Sequence, residues 1–131
     1  KVGRTASEEV VLSLLRAKCL PILLYGTEAC PLLSRDKQSM EFSITRLFMK
    51  IFRTGSPEIV TECQHYFNFY SLGQQIAIRT SKFLQCFGAS ENVLCSLFSA
   101  NSAKQLQILC SFYGSGVTTD CQLRNAIYSQ P

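Results

Sequence analysis

The chain has 131 residues, of which 47% are hydrophobic and 17% charged, which excludes a disordered chain and leaves room for one domain or part of one. Thirteen Lys and Arg stand against nine Asp and Glu, a formal net charge of +4. That mildly basic balance permits nucleic-acid contact without requiring it.

Apolar residues recur at helical spacing almost throughout, and no Asn-Gly or Asp-Gly lies between alternating apolar runs. The class expected is all-α, a small irregular helical bundle of about six to eight helices. Thr5 with Glu8 offers a capping box and Ser7 a second cap, ahead of Val10, Val11, Leu14, Leu15 and Lys18 at helical spacing. Pro21 is expected to kink this helix or to start a new one at Ile22, and Gly26 and Pro31 mark its end. The stretch from Val10 to Leu24 is interrupted by Arg16, Lys18 and Pro21, too short and too charged to span a bilayer, so no membrane partner is expected.

Ser34 is the expected cap of a long helix from Arg35 to Arg53, with Met40, Ile44, Leu47, Phe48 and Ile51 on its core face and Gly55 as its C-terminal glycine. Ser56-Pro57-Glu58 then restarts a helix to about Tyr66. Ser71 is expected to cap another, with Leu72, Ile76, Phe83 and Phe87 on one face, until Gly88 and Ser90 break it. Asn92 to Phe98 reads as a short helix, and Ser102 opens one more through Leu106, Leu109, Cys110 and Tyr113. Gly114-Ser115-Gly116 is a turn, and Thr118 or Thr119 caps a last helix to Tyr128. Eleven of the thirteen basic residues precede residue 88. The expected division is therefore a working unit over residues 1–87 and a helical appendix over 88–131.

The acids argue against a complete enzyme. Asp36 and Asp120 are the only aspartates, whereas two-metal phosphoryl transfer needs several converging carboxylates. Glu8 and Glu9 read as partners of a helix dipole. No phosphate-cradling glycine loop and no G-x-S-x-G occurs. The seven Cys, at 19, 30, 63, 86, 95, 110 and 121, are odd in number and lack C-x-x-C spacing. They read as small buried hydrophobes in a reducing compartment. Cys63 and His65 form a C-x-H without a partner pair, so no metal and no other cofactor is expected, and His65 reads as a packed or half-exposed helix histidine. With nothing resembling a signal peptide, the expected location is intracellular, cytoplasmic or nuclear, rather than secreted.

The positive signal is a basic stripe. Arg46, Lys50 and Arg53 are spaced i, i+4, i+7, within about 60° of arc on a helix, and no acid falls in that arc. Such a stripe can follow a phosphate backbone, although a solvated face is the commoner meaning of the same pattern. Arg79 and Lys82 repeat the arrangement at i, i+3. Tyr25 beside Gly26 is the other local feature, read as a helix end with a core tyrosine ahead of a base or ribose contact.

Four blocks in order carry a resemblance: CLPILLYGTEACPL at 19–32, MEFSITRLFMKIFRT at 40–54, TECQHYFNF at 61–69 and IAIRTSKFL at 76–84. Together they resemble the segment after the palm in LINE-type (non-LTR) retrotransposon reverse transcriptases, with jockey-like elements among the nearest branches. The resemblance implies a thumb-like helical domain that closes on a primer–template duplex, RNA–DNA or DNA, behind the polymerase palm. It matches Tyr25, Gly26 and Glu28 to the family's LLYG-E motif. Arg46 and Lys50 match its long-helix basic positions, and Arg79 and Lys82 its R--kF block. The catalytic aspartates of that family have no counterpart here, so the chain alone is not expected to polymerise. The rival expectation is a helical interaction module that docks on the palm or another partner without touching nucleic acid.

Overall fold

A computed structural model describes residues 6–113 and 120–129 of the chain. It is all-α: among the described residues there is no strand. The chain forms two compact units, one gathering the residues up to Gly26 with Leu32–Leu72, the other Thr27–Pro31 with the residues from Gly73 onward.

The first unit opens with α1 (Glu8–Leu14), which carries Glu8 and Glu9 in its first turn, where their charge favours the helix dipole. Ser7 stands at its N-cap without a side-chain hydrogen bond, and Thr5, the alternative cap, lies outside the described residues. The helix continues through a π-helical turn, Leu15–Cys19, into α2 (Leu20–Leu23). Pro21 therefore does not simply kink a helix. It sits in the first turn of α2, where a missing N–H costs nothing, and the Leu20 N–H reaches back five residues to the Leu15 carbonyl. The wide turn has a packing reason. Buried Leu12, Leu15, Leu20 and Leu24 are spaced three, five and four apart, and the five-residue step needs one turn wider than an α-turn to keep the leucines on one face.

The long helix α3 (Ser34–Phe52) packs against α1 and against α4 (Pro57–Tyr66). Ile44 and Phe48 are its buried residues, while Met40, Leu47 and Ile51 are half-buried. The Phe48 ring meets Phe69 edge-on at 4.7 Å and Phe52 at 5.8 Å, and Phe52 stacks on Phe67 at 5.5 Å. Two terminal expectations fail. Leu33 rather than Ser34 occupies the N-cap, with extended backbone and no side-chain bond. At the other end Arg53, not Gly55, turns the chain left-handed at φ 51 and ψ 39, with the Thr54 N–H bonded to the Met49 carbonyl at 3.0 Å. The helix ends at Phe52, whose ring stacks on Phe67, and Gly55 lies two residues beyond the left-handed turn at Arg53. Pro57 opens α4 behind Ser56 as the sequence indicates.

The second unit contains most of α5 (Leu72–Gly88), then α6 (Val93–Leu97), α7 (Ser99–Tyr113) and α8 (Asp120–Tyr128). Asn92 caps α6 by accepting the Leu94 N–H at 2.9 Å. Ser102 does not open a helix. It is buried inside α7, where its hydroxyl donates to the Ser99 carbonyl at 2.9 Å. Ala77 of α5 and Leu123 and Ile127 of α8 form a core against which Leu106, Leu109 and Tyr113 of α7 pack. Phe83 and Phe87 are half-buried on α5. The glycine-rich turn at 114–116 and the caps Thr118 and Thr119 lie outside the described residues. The compositional shift near residue 88 falls inside this second unit.

The cysteine expectation needs correction. Cys19, Cys30 and Cys86 are exposed and Cys63, Cys95 and Cys110 half-exposed, because Leu, Ile and Phe take the inward helical positions. None of these six is in a disulfide. Among the described residues no group of His, Cys, Asp and Glu could hold a metal ion, and no helix is long and apolar enough to cross a membrane.

Candidate nucleic-acid interface

The site is built on α3. Its inward face, centred on Ile44 and Phe48, is locked by aromatic contacts from Phe52 and Phe69, so the opposite face points outward by helical geometry. Arg46, Lys50 and Arg53 are all exposed on that outer face. Arg35, also exposed, belongs to the same face eleven residues before Arg46, outside the stripe that the nearer charges define in the sequence. Phe42, which is uncharged, lies at the edge of the stripe. It is 64% exposed, and the Arg46 guanidinium lies 5.8 Å from its ring centroid. Taken at about 100° and 1.5 Å per residue, Arg35, Phe42, Arg46, Lys50 and Arg53 share an arc of about 80° over about 27 Å.

The two helical acids nearest this stripe stand aside from it. Asp36 is about 80° around the cylinder from the stripe's centre, in the first turn, where it favours the dipole. Glu41 is half-buried and receives a hydrogen bond from the Leu72 backbone N–H at the start of α5. Burial raises its carboxyl pKa, and that bond only partly offsets the shift. The stripe is therefore locally uncompensated positive charge.

The second pair behaves differently. Arg79 is in an ion pair, its Nε 3.4 Å from Glu28 Oε2. The Glu28 carboxyl is held below its ordinary pKa, first by its own backbone N–H and then by Arg79. Arg79 thus carries a partner that a phosphate would have to displace, while Lys82 on the same helix is exposed. Within the LLYG-E segment, Tyr25 is 85% exposed, not a core tyrosine, at the end of the helical segment and just ahead of a positive-φ glycine. That residue, Gly26, has φ 77, a conformation glycine adopts without strain. Glu28 is thereby committed to the second unit by its bond to Arg79.

No family model, curated protein or solved structure matches the chain.

One further cation was invisible in the sequence pattern. Arg16, in the π turn, donates to the Phe67 carbonyl and lies 5.8 Å from the Phe69 ring centroid. It ties the first helical segment to the loop after α4. Fifty-one residues separate Arg16 from Phe67, and no periodic signal spans that distance. His65 is exposed on α4 and Cys63 half-exposed.

Proposed function

We propose that this chain is a thumb-like part of a LINE-type retroelement reverse transcriptase, gripping the backbone of a primer–template duplex while a palm domain supplies the catalytic aspartates. The observation that carries the reading is the outer face of α3, where Arg46, Lys50 and Arg53 are exposed and no acid intervenes. The three sequence blocks outside α3, at 19–32, 61–69 and 76–84, support it independently of that face. The mechanism is independent of base sequence: guanidinium and ammonium groups replace condensed counterions on the phosphates, and the packed inner face holds them in register. Arg79 contributes only when a phosphate displaces Glu28, so the α3 cations carry the grip.

Each phosphate engaged lowers the slope of log K against log salt by about 0.9, so Arg46, Lys50 and Arg53 together contribute about −2.7. Through these three, raising salt from about 50 to about 200 mM weakens duplex binding about 40-fold. Arg46→Ala combined with Lys50→Ala should make the slope shallower by about 1.8, measured by fluorescence anisotropy on a labelled duplex. Binding that ignores salt, or a double variant with the full slope, would refute the reading.

A second reading has its own observation. Val93, Leu94, Leu97 and Phe98 around α6, with Ile108 and Phe112 of α7, are all more than half exposed. An apolar surface of that kind fits docking on another protein domain, such as the palm. Self-association of the isolated chain, relieved by Leu97→Lys, would favour docking as the main activity if salt-dependent duplex binding is absent.

A further inference from the structure

The α3 stripe holds one residue that a phosphate grip does not use. Phe42 has no place in neutralising a backbone, yet it lies between the cations along the helix axis, at one edge of their arc, and is 64% exposed. The neighbouring Arg46 guanidinium sits at its ring, 5.8 Å from the centroid. A flat aromatic face flanked by cations on both sides along one helix has the composition of a single-stranded nucleic-acid platform. There a base stacks on the ring and its phosphates meet the neighbouring charges. Stacked bases inside a duplex cannot reach such a ring, whereas an unpaired nucleotide can.

We infer that Phe42, bracketed by Arg35 on one side and Arg46 and Lys50 on the other, is a base-stacking site for an unpaired nucleotide. The α3 face then takes a single strand, or the unpaired end of a primer–template, in preference to a blunt duplex. This rests on the nucleic-acid reading of α3 and adds to it a substrate class and a residue. Phe42 is exposed and is not one of the ring pairs among Phe48, Phe52, Phe67 and Phe69, so its replacement is expected to leave those core contacts in place.

The test compares the full chain with Phe42→Leu, which keeps an apolar side chain but removes the ring, and with Phe42→Tyr, which keeps the ring. The probes are a short single-stranded oligonucleotide carrying aminopurine, a blunt duplex of the same sequence, and inorganic polyphosphate, which has charge and no bases. Stacking on one aromatic ring predicts that Phe42→Leu weakens the single strand about 5- to 150-fold. It should abolish the quenching of aminopurine fluorescence and leave duplex and polyphosphate unchanged. Phe42→Tyr should restore both affinity and quenching. A single strand bound equally by Phe42→Leu, or a loss shared by all three probes, overturns the inference while salt-dependent duplex binding keeps the backbone grip. Failure of all three probes to bind overturns both.

Discussion

Arg53 offers a test in which stability and binding move in opposite directions. Its backbone is left-handed at φ 51 and ψ 39 at the end of α3. A side chain with a Cβ pays about 1–2 kcal/mol for that conformation, and glycine does not. Glycine in turn loses about 0.4–1 kcal/mol through the greater freedom of its unfolded chain. Arg53→Gly should therefore stabilise the protein by about 0.5–1 kcal/mol, or about 2–4 °C in Tm for a chain of this size. The same variant removes one cation from the stripe, so the salt slope for duplex binding should shallow by about 0.9. Arg53→Ala separates the two effects, since it loses the cation and keeps the Cβ. It should match Arg53→Gly in salt slope while melting no higher than the parent chain. Thermal unfolding tracked by circular dichroism, with duplex titrations at several salt concentrations, reads both quantities. Equal melting of the Gly and Ala variants would refute the backbone argument, and an unchanged slope in both would remove Arg53 from the grip.

Two further expectations concern the core and the pH response. Phe48 is fully buried between Phe52 and Phe69, so Phe48→Ala should cost about 3–5 kcal/mol by lost burial and an unfilled cavity, read as a large fall in the urea midpoint. Glu28 and Glu41 should give opposite pH signatures around the ordinary glutamate value of 4.5. The lowered pKa of Glu28 means that its contribution is complete above 4.5 and is lost as pH falls through its folded value. The raised pKa of Glu41 means that the folded state holds the extra proton, so stability declines as pH rises from 4.5 through its folded value. Glu28→Gln should flatten the acid limb of a stability–pH curve, and Glu41→Gln should flatten the decline above 4.5. The same sign for both variants would contradict these assignments.

The helices themselves were legible because burial follows the 3.6-residue period, and Ser56-Pro57 and Asn92 announced their helix starts through local chemistry. What escaped the sequence depends on contacts distant along the chain. The left-handed end of α3 falls on Arg53, next to a Phe52 ring stacked on Phe67, where a C-terminal glycine rule does not look. Ser102 carries a helix-start residue type but lies inside α7, because the helix begins at Ser99 and the Ser102 hydroxyl turns back to the Ser99 carbonyl. The cysteines are apolar enough to be read as core, but the larger aliphatic and aromatic side chains filled it. On the site, the stripe of Arg46, Lys50 and Arg53 emerged from spacing alone, whereas the engagement of Arg79 by Glu28 spans fifty-one residues and needed the fold. Arg35 and Phe42 obey the same spacing rule extended towards the start of the helix. They escape a pattern confined to the charges nearest one another, Arg35 because it is distant and Phe42 because it is not charged.

The wide turn at Leu15–Cys19 has a consequence for how this chain tolerates change in length. With one residue removed there, the inward leucines would fall three, four and four apart, the spacing of an ordinary α-helix, and both flanks would keep their partners. The first helical segment thus stores a spare residue that can be shed without rephasing the leucines on either side. A single deletion in α3 between Phe42 and Arg46 has no such slack: it would rotate every later side chain by about 100° and carry Arg46 and Lys50 away from the aromatic ring they now flank.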